Sequence, residues 1–169
     1  MLRRGLSIAL LVTLLDQASK WWIVNDLFRP AGITQTPFFT LKTVTLAPFF
    51  DLVMAWNRGV SFGMFNGAEG GRWNAIVFSL FALVVVAALM VWMRRTRSAW
   101  TATALGLVAG GAVGNVIDRL RFGAVADFLD FHVGTWHWPA FNLADSAITI
   151  GAILLVAESL FRHSDSSKT

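Results

Sequence analysis

Four long apolar runs constrain this chain more than any other feature of its sequence. A helix needs about 20 mostly apolar residues to cross the hydrocarbon core of a bilayer. The runs fall at about residues 5–24, 73–93, 98–117 and 140–161. The first follows Arg3 and Arg4. The second is uncharged between Arg72 and Arg94, and the fourth is the weakest because Asp145 and Glu158 interrupt it. Composition agrees with this reading. Hydrophobic residues make up 56% of the chain and charged residues 14%, against about 25% charged in soluble domains. A water-soluble core of this size cannot absorb so much apolar surface, whereas a bilayer can. The expected fold class is therefore an all-α membrane protein with four transmembrane helices in one domain, residues 1–169.

Arg3 and Arg4 before an apolar stretch also fit a secretory signal peptide. That stretch, however, carries Asp16 and Lys20 and lacks a small-residue A-x-A site, so a retained first helix is expected. Arg94, Arg95 and Arg97 lie in the short connection between the second and third runs. Arg3 and Arg4 precede the first run, and Arg162 and Lys168 follow the fourth. With four spans these segments share one side, and basic residues mark that side as cytoplasmic. Both termini are then inside, and the two longer connections are outside. The sequence pI near 10.7 reflects these flanking charges and does not indicate a nucleic-acid-binding patch.

Residues 25–72 contain alternating and β-branched stretches at 38–46 and 49–56, which predict a small β-sheet. Asn66-Gly67 and Gly70-Gly71 mark turns. In the second outer connection, Trp136, His137 and Trp138 suit the headgroup level, as do Trp21, Trp22 and Trp56. The tail 163–169 is polar and expected to be disordered. In the third run, Gly106, Gly110 and Gly114 recur every four residues, a spacing that lets a second helix backbone come close.

Ionisable residues within spans are costly and usually functional. Asp16, Asp118, Arg119, Asp127 and Asp145, with Asn57, Asn115 and Asn142, all fall near the outer ends of the runs. The absence of cysteine removes thiolate chemistry, disulfides and Cys-ligated metals. There is no Ser/His arrangement, H-E-x-x-H or P-loop lysine. His132 and His137 lack an associated Glu, and interfacial polar residues are a better reading of them than a metal site. What remains is carboxylate chemistry. Two close carboxylates share a proton, so that one activates water while the other protonates a substrate carbonyl. Spacing alone does not choose the pair among Asp16, Asp118, Asp127 and Asp145. A proton-coupled carrier would place charges near the midplane, often with repeat symmetry, and neither is evident. A non-catalytic lipid-binding subunit would explain the glycines and tryptophans but not the grouped polar residues.

Five segments carry a resemblance. They are Asp16-Gln17-Ala18-Ser19-Lys20; Asn57-Arg58-Gly59-Val60-Ser61-Phe62-Gly63; residues 110–119 (GGAVGNVIDR); Val125-Ala126-Asp127-Phe128; and residues 141–147 (FNLADSA). In this order they closely resemble the bacterial lipoprotein signal peptidase family (signal peptidase II). The resemblance implies four transmembrane helices with a β-cradle, here about 25–72, and a short interfacial helix on the periplasmic side. It implies Asp127 and Asp145 as the catalytic pair of an aspartic endopeptidase in the bacterial inner membrane. The implied substrate is a diacylglyceryl-modified prolipoprotein cut just before the lipidated cysteine.

Asp16, Lys20, Asn57, Gly59, Asn115, Arg119 and Asn142 are the expected substrate-binding or site-supporting residues. Asp16 and Lys20 also form an i,i+4 pair. The amides can donate and accept, and Arg119 is suited to a carboxylate or carbonyl. Asp118 is assigned packing or hydrogen bonding. No metal, cofactor or nucleic acid is expected; the partners are the substrate and membrane lipid, and the protein is expected to act as a monomer. Val60-Ser61 stands where the family often has two alanines, and residues 26–49 form a long apolar segment for the family.

Overall fold

The computed structural model describes residues 1–59 and 71–166. Its long helices are α1 (Leu2–Trp22), α2 (Gly71–Arg95), α3 (Ala99–Phe122) and α4 (Leu143–Ser166). Its strands are β1 (Val44–Ala47), β2 (Phe50–Asn57), β3 (Val125–Val133) and β4 (Trp136–His137). Among the described residues, three helices are long and apolar enough to cross a membrane: Trp73–Arg95, Ala99–Phe122 and Leu143–Phe161. The helix α1 is of similar length, but Asp16, Gln17 and Lys20 lower the hydropathy of its last turns.

The third helix is the hub. It packs on α1, α2 and α4. Of its apolar window 67% is buried, against 11% for α2 and 17% for α4. The remaining apolar surface of α2 and α4 faces outward, as it must when the solvent is lipid. Small residues allow this packing. A Cβ added at Gly106 would meet the Gly5 carbonyl, one at Gly110 the Ala9 backbone, and one at Gly111 the Ala144 carbonyl. Helix backbones that approach this closely gain van der Waals contact that larger side chains would forbid.

Local signals set the helix ends. Ser98 caps α3 by accepting the Thr101 N–H at 3.1 Å. Such a cap contributes about 1 kcal/mol. Gly123, at φ +71°, closes α3 in the left-handed conformation and donates to the Arg119 carbonyl at 3.0 Å. The helix therefore runs past the expected end near residue 117 and carries Asp118 and Arg119 within its last turns. The fourth helix starts at Leu143, three residues later than expected, because Asn142 caps it: Asn142 Oδ1 accepts the Asp145 N–H at 3.0 Å. It continues to Ser166, into the segment expected to be a disordered tail.

The four strands form one antiparallel sheet in the order β1-β2-β3-β4. The expectation that the sheet lies within 25–72 is only partly met, because β3 and β4 come from the second connection. Their alternation is hard to see in sequence, since the first four residues of β3 are all buried. Of the predicted stretch 38–46, only residues from Val44 join the ladder. Phe38 instead packs into the core beneath the sheet, with Ile23, Val24, Phe28, Leu52, Ala126 and Phe128, and its carbonyl accepts Trp56 Nε1 at 2.9 Å. Trp56 also makes edge contacts with Phe38 and Phe122. Among the described residues, the outer connections hold a π-helical turn (Ile23–Leu27) and no further helix. The predicted turn at Asn66-Gly67 and the Val60-Ser61 substitution lie outside the described residues, and α2 already begins at Gly71.

The glycine contacts make a direct prediction. Gly111→Ala drives a methyl against the Ala144 carbonyl and should cost about 1–3 kcal/mol, as overpacking does, lowering the unfolding temperature in detergent by several degrees. Val156→Ala, on an exposed face of α4, should change it little. Equal shifts for the two variants would contradict this packing account.

Candidate active site

Asp127 is the third residue of β3, and Asp145 lies in the first turn of α4. The register places Asp127 opposite Ala55 on β2, beside a bulge between Leu52 and Ala55. Both aspartates line one cleft of about 380 Å³ with Asn57, Trp138, Phe141, Ser146 and Thr149. Asp145 sits where the exposed N–H groups of a helix start favour a negative charge.

Three amides hold the pair. Asn57 Nδ2 donates to Asp127 Oδ2 at 3.1 Å, and Asn142 Nδ2 donates to Asp127 Oδ1 at 2.6 Å. Asn115 Nδ2 donates to Asp145 Oδ1 at 2.8 Å, and the Asn142 backbone N–H reaches Asp145 Oδ2 at 3.3 Å. Asn142 therefore touches both carboxylates. Two of the amides are themselves oriented: Asn115 Oδ1 accepts Lys20 Nζ at 3.0 Å, and Asn57 Oδ1 accepts the Gly59 N–H at 3.1 Å.

Behind this layer lies a cluster of buried charges. Lys20 Nζ is 3.0 Å from Asp16 Oδ2 and 2.8 Å from Asp118 Oδ2, and none of the three side chains is more than 2% exposed. Gln17, quoted in the first motif but given no role, donates to Asp118 Oδ1 at 2.9 Å and Asp16 Oδ2 at 3.2 Å. A polar amide in the middle of an apolar run was the available signal. Breaking a buried pair by removing one partner typically costs about 3–5 kcal/mol.

Arg119 reaches carbonyls, not a carboxylate. Its two bonds go singly to the carbonyls of Gly59, at 3.2 Å, and Asn115, at 3.4 Å, and its guanidinium stands over the Phe78 ring. It lines a second cavity of about 340 Å³, which also reaches Asn57 and Asp145 but is otherwise walled by apolar residues such as Phe78, Phe81, Val85, Val108 and Ile148. His132 and His137 lie on the sheet: His137 Nδ1 is 2.7 Å from Asp130 Oδ2, and His132 Nε2 is 3.4 Å from Asp51 Oδ2. Among the described residues, no group of three or more His, Cys, Asp or Glu is placed to hold a metal ion.

Burial raises the Asp127 carboxyl from 3.8 to about 7, and the neighbouring charge of Asp145 pushes in the same direction. The hydrogen bonds from Asn57 and Asn142, and the charge of Lys20, oppose the shift. Two neighbouring carboxyls titrate jointly. With one proton between them they can act as general base and general acid in the same site.

A bundle of long apolar helices with two carboxyls in a cleft between the sheet and α4 is the class of arrangement a membrane-embedded enzyme requires. Two solved structures described as bacterial membrane enzymes share the fold. One superposes with a TM-score of 0.77 at 27% identity, covering 95% of this chain and 90% of the other. The second gives 0.72 at 27% identity, with 92% of each chain covered. Residues 8–161 match the family described as signal peptidase (SPase) II. The chain is 49% identical over 160 residues to the lipoprotein signal peptidase of Methylorubrum extorquens (strain PA1), covering 94% of this chain and 86% of that one. It is 39% identical over 160 residues to the protein of the same name from Anaplasma phagocytophilum (strain HZ), covering 95% and 94%. The chain belongs to the signal peptidase II family, a family of membrane peptidases.

The raised Asp127 titration bears on stability. A carboxyl whose folded pKa exceeds its unfolded value opposes folding once it ionises. The penalty is small near pH 4, grows as the pH rises to about 7, and is complete above that. Thermal unfolding of Asp127→Asn beside the parent protein should show little difference near pH 4. The variant should be more stable at pH 8. A gap that does not change with pH would contradict the burial account.

Proposed function

We propose that this chain is an intramembrane aspartic endopeptidase that removes signal peptides from diacylglyceryl-modified prolipoproteins. It cleaves just before the lipidated cysteine, with Asp127 and Asp145 activating water. The observation that carries the proposal is that these two carboxylates line one cleft and share the Asn142 side chain and backbone as hydrogen-bond donors. Membership of the signal peptidase II family and the lipoprotein signal peptidase name of the relatives support the substrate class.

In this reading the ionised carboxylate takes a proton from water as the water oxygen attacks the scissile carbonyl. The protonated partner donates to the carbonyl oxygen. Collapse of the tetrahedral intermediate breaks the C–N bond, and a carboxyl proton passes to the leaving amine, which is the cysteine amino group. Asn57, Asn115 and Asn142 hold the carboxylates in register, while Arg119 and Gly59 bind one another at the edge of the second cavity and offer polar groups to the substrate backbone. Asp16 and Lys20 support the site from behind. The apolar walls of the second cavity suit acyl chains that enter sideways from the bilayer.

The proposed topology has four spans in the bacterial inner membrane. Both termini are cytoplasmic, and the sheet forms a cradle at the periplasmic face. Counting α1 as a span is supported by its charges: Asp16 and Lys20 are buried against α3 and paired, so lipid does not meet them. The chain is proposed to act as a monomer.

Asp127→Asn and Asp145→Asn should each reduce cleavage of a purified lipidated prolipoprotein by at least about a thousandfold, the scale lost when an acid–base partner is removed. Both variants should retain a cooperative unfolding transition. Substantial turnover by either one would refute the assignment.

A further inference from the structure

We propose that Asp118, Lys20 and Asp16 form a ruler that sets the separation of the two catalytic carboxylates, which makes Asp118 a positioning residue for Asp127 as Asp16 is for Asp145. The inference rests on the aspartic reading above.

Each aspartate of the cluster holds one particular backbone N–H. Asp118 Oδ2 accepts the N–H of Ala126 at 3.1 Å, the residue immediately before Asp127. Asp16 Oδ1 accepts the N–H of Ala144 at 3.0 Å, the residue immediately before Asp145. Lys20 joins the two anchors through its contacts to Asp16 Oδ2 and Asp118 Oδ2. An ammonium has three protons. The third goes to Asn115 Oδ1, and Asn115 Nδ2 then reaches Asp145 Oδ1 at 2.8 Å. The cation is thus saturated, with no proton left for water, in a cluster sealed from solvent. Room for it depends on Gly114, where an added Cβ would collide with the Asp16 carboxylate.

A buried ion cluster that only fastened α1 to α3 would explain the Lys20 contacts. It would not explain why one carboxylate oxygen on each side is bound to the residue preceding a catalytic aspartate. Those two bonds tie β3 and the start of α4 to one fixed charge, behind the direct link that Asn142 makes to Asp127 and to the Ala126 carbonyl. Misplacing a reacting group by about 1 Å can cost about a hundredfold in rate.

The test is the pH–rate profile of the full-length protein on a lipidated prolipoprotein. Asp118→Asn conserves volume and an acceptor but loosens the hold on Lys20. Its kcat should fall about tenfold to a hundredfold, with KM changed by less than about twofold and the bell-shaped profile narrowed. Narrowing follows because two carboxyls farther apart repel less, so their apparent pKa values converge. Lys20 and Arg119, the cations nearest the pair, are retained. Gln17→Leu removes the amide that steadies both anchors, together with its bonds to the Gly114 carbonyl and Arg121; it should act in the same direction more weakly and covers the case in which Asp118→Asn does not fold. Thr13→Val breaks a different α1–α3 bond, from Thr13 Oγ1 to the Gly110 carbonyl at 3.0 Å, and should leave the width unchanged. The ruler is overturned if Asp118→Asn or a folded Gln17→Leu keeps the parental width, or if Thr13→Val narrows it equally. Turnover by Asp127→Asn would instead remove the aspartic reading, and the ruler with it.

Discussion

Close approach to the third helix is the constraint on which the rest of the structure depends. Where α1 and α4 meet α3, glycines bring backbone against backbone, with the Gly5, Ala9 and Ala144 carbonyls occupying the space that side chains at 106, 110 and 111 would need. Only at that separation can Lys20 on α1 reach Asp118 and Asn115 on α3. Only then can Asp16 reach across to the start of α4. The glycines carry no chemistry, yet they decide whether polar groups from different helices meet or face lipid alone.

The polar centre also shows how a membrane protein accommodates charge. Unpaired charges within an apolar bundle are costly, and here the lysine and two aspartates are balanced by one another, by Gln17 and by backbone N–H groups. Asp127 is treated differently. Its burial and its proximity to Asp145 push it away from ionisation, and the bonds from Asn57 and Asn142 only partly offset this. Ion pairs and hydrogen bonds are thus concentrated in the cluster behind the cleft, while at Asp127, which faces it, burial outweighs the bonds it receives. Such a division is expected where stability and reactivity compete.

Much of the helical framework was legible because lipid imposes a simple rule on sequence: long apolar runs bounded by charge. The run at 73–93 falls within α2 and that at 98–117 starts at the α3 cap and lies along α3, and the grouping of Asp16, Asn57, Asn115, Asp118, Asp127, Asn142 and Asp145 near one depth corresponds to one connected hydrogen-bond network. Other features were hidden for physical reasons. The strand β3 lacks visible alternation because both of its faces are buried where it passes the site. The end of α3 depends on the left-handed conformation of Gly123, and the start of α4 depends on the Asn142 cap. The address of Asp118, a backbone N–H eight residues along the chain, is a tertiary fact. An Asp-Arg dipeptide at 118–119 looks like a site in sequence, but its two side chains diverge, one into the ion cluster and the other toward Gly59.

The bond from Asp16 to the N–H of Ala144 spans 128 residues of chain. A ribosome delivers the first helix long before the last, so throughout synthesis Asp16 and Lys20 wait without the partner that completes the cleft. Asp145 arrives together with the N–H that Asp16 will hold. The contacts of Lys20 with Asp16 and Asp118 can form once the third helix is made, but the cleft that holds Asp127 and Asp145 is complete only when the last helix docks.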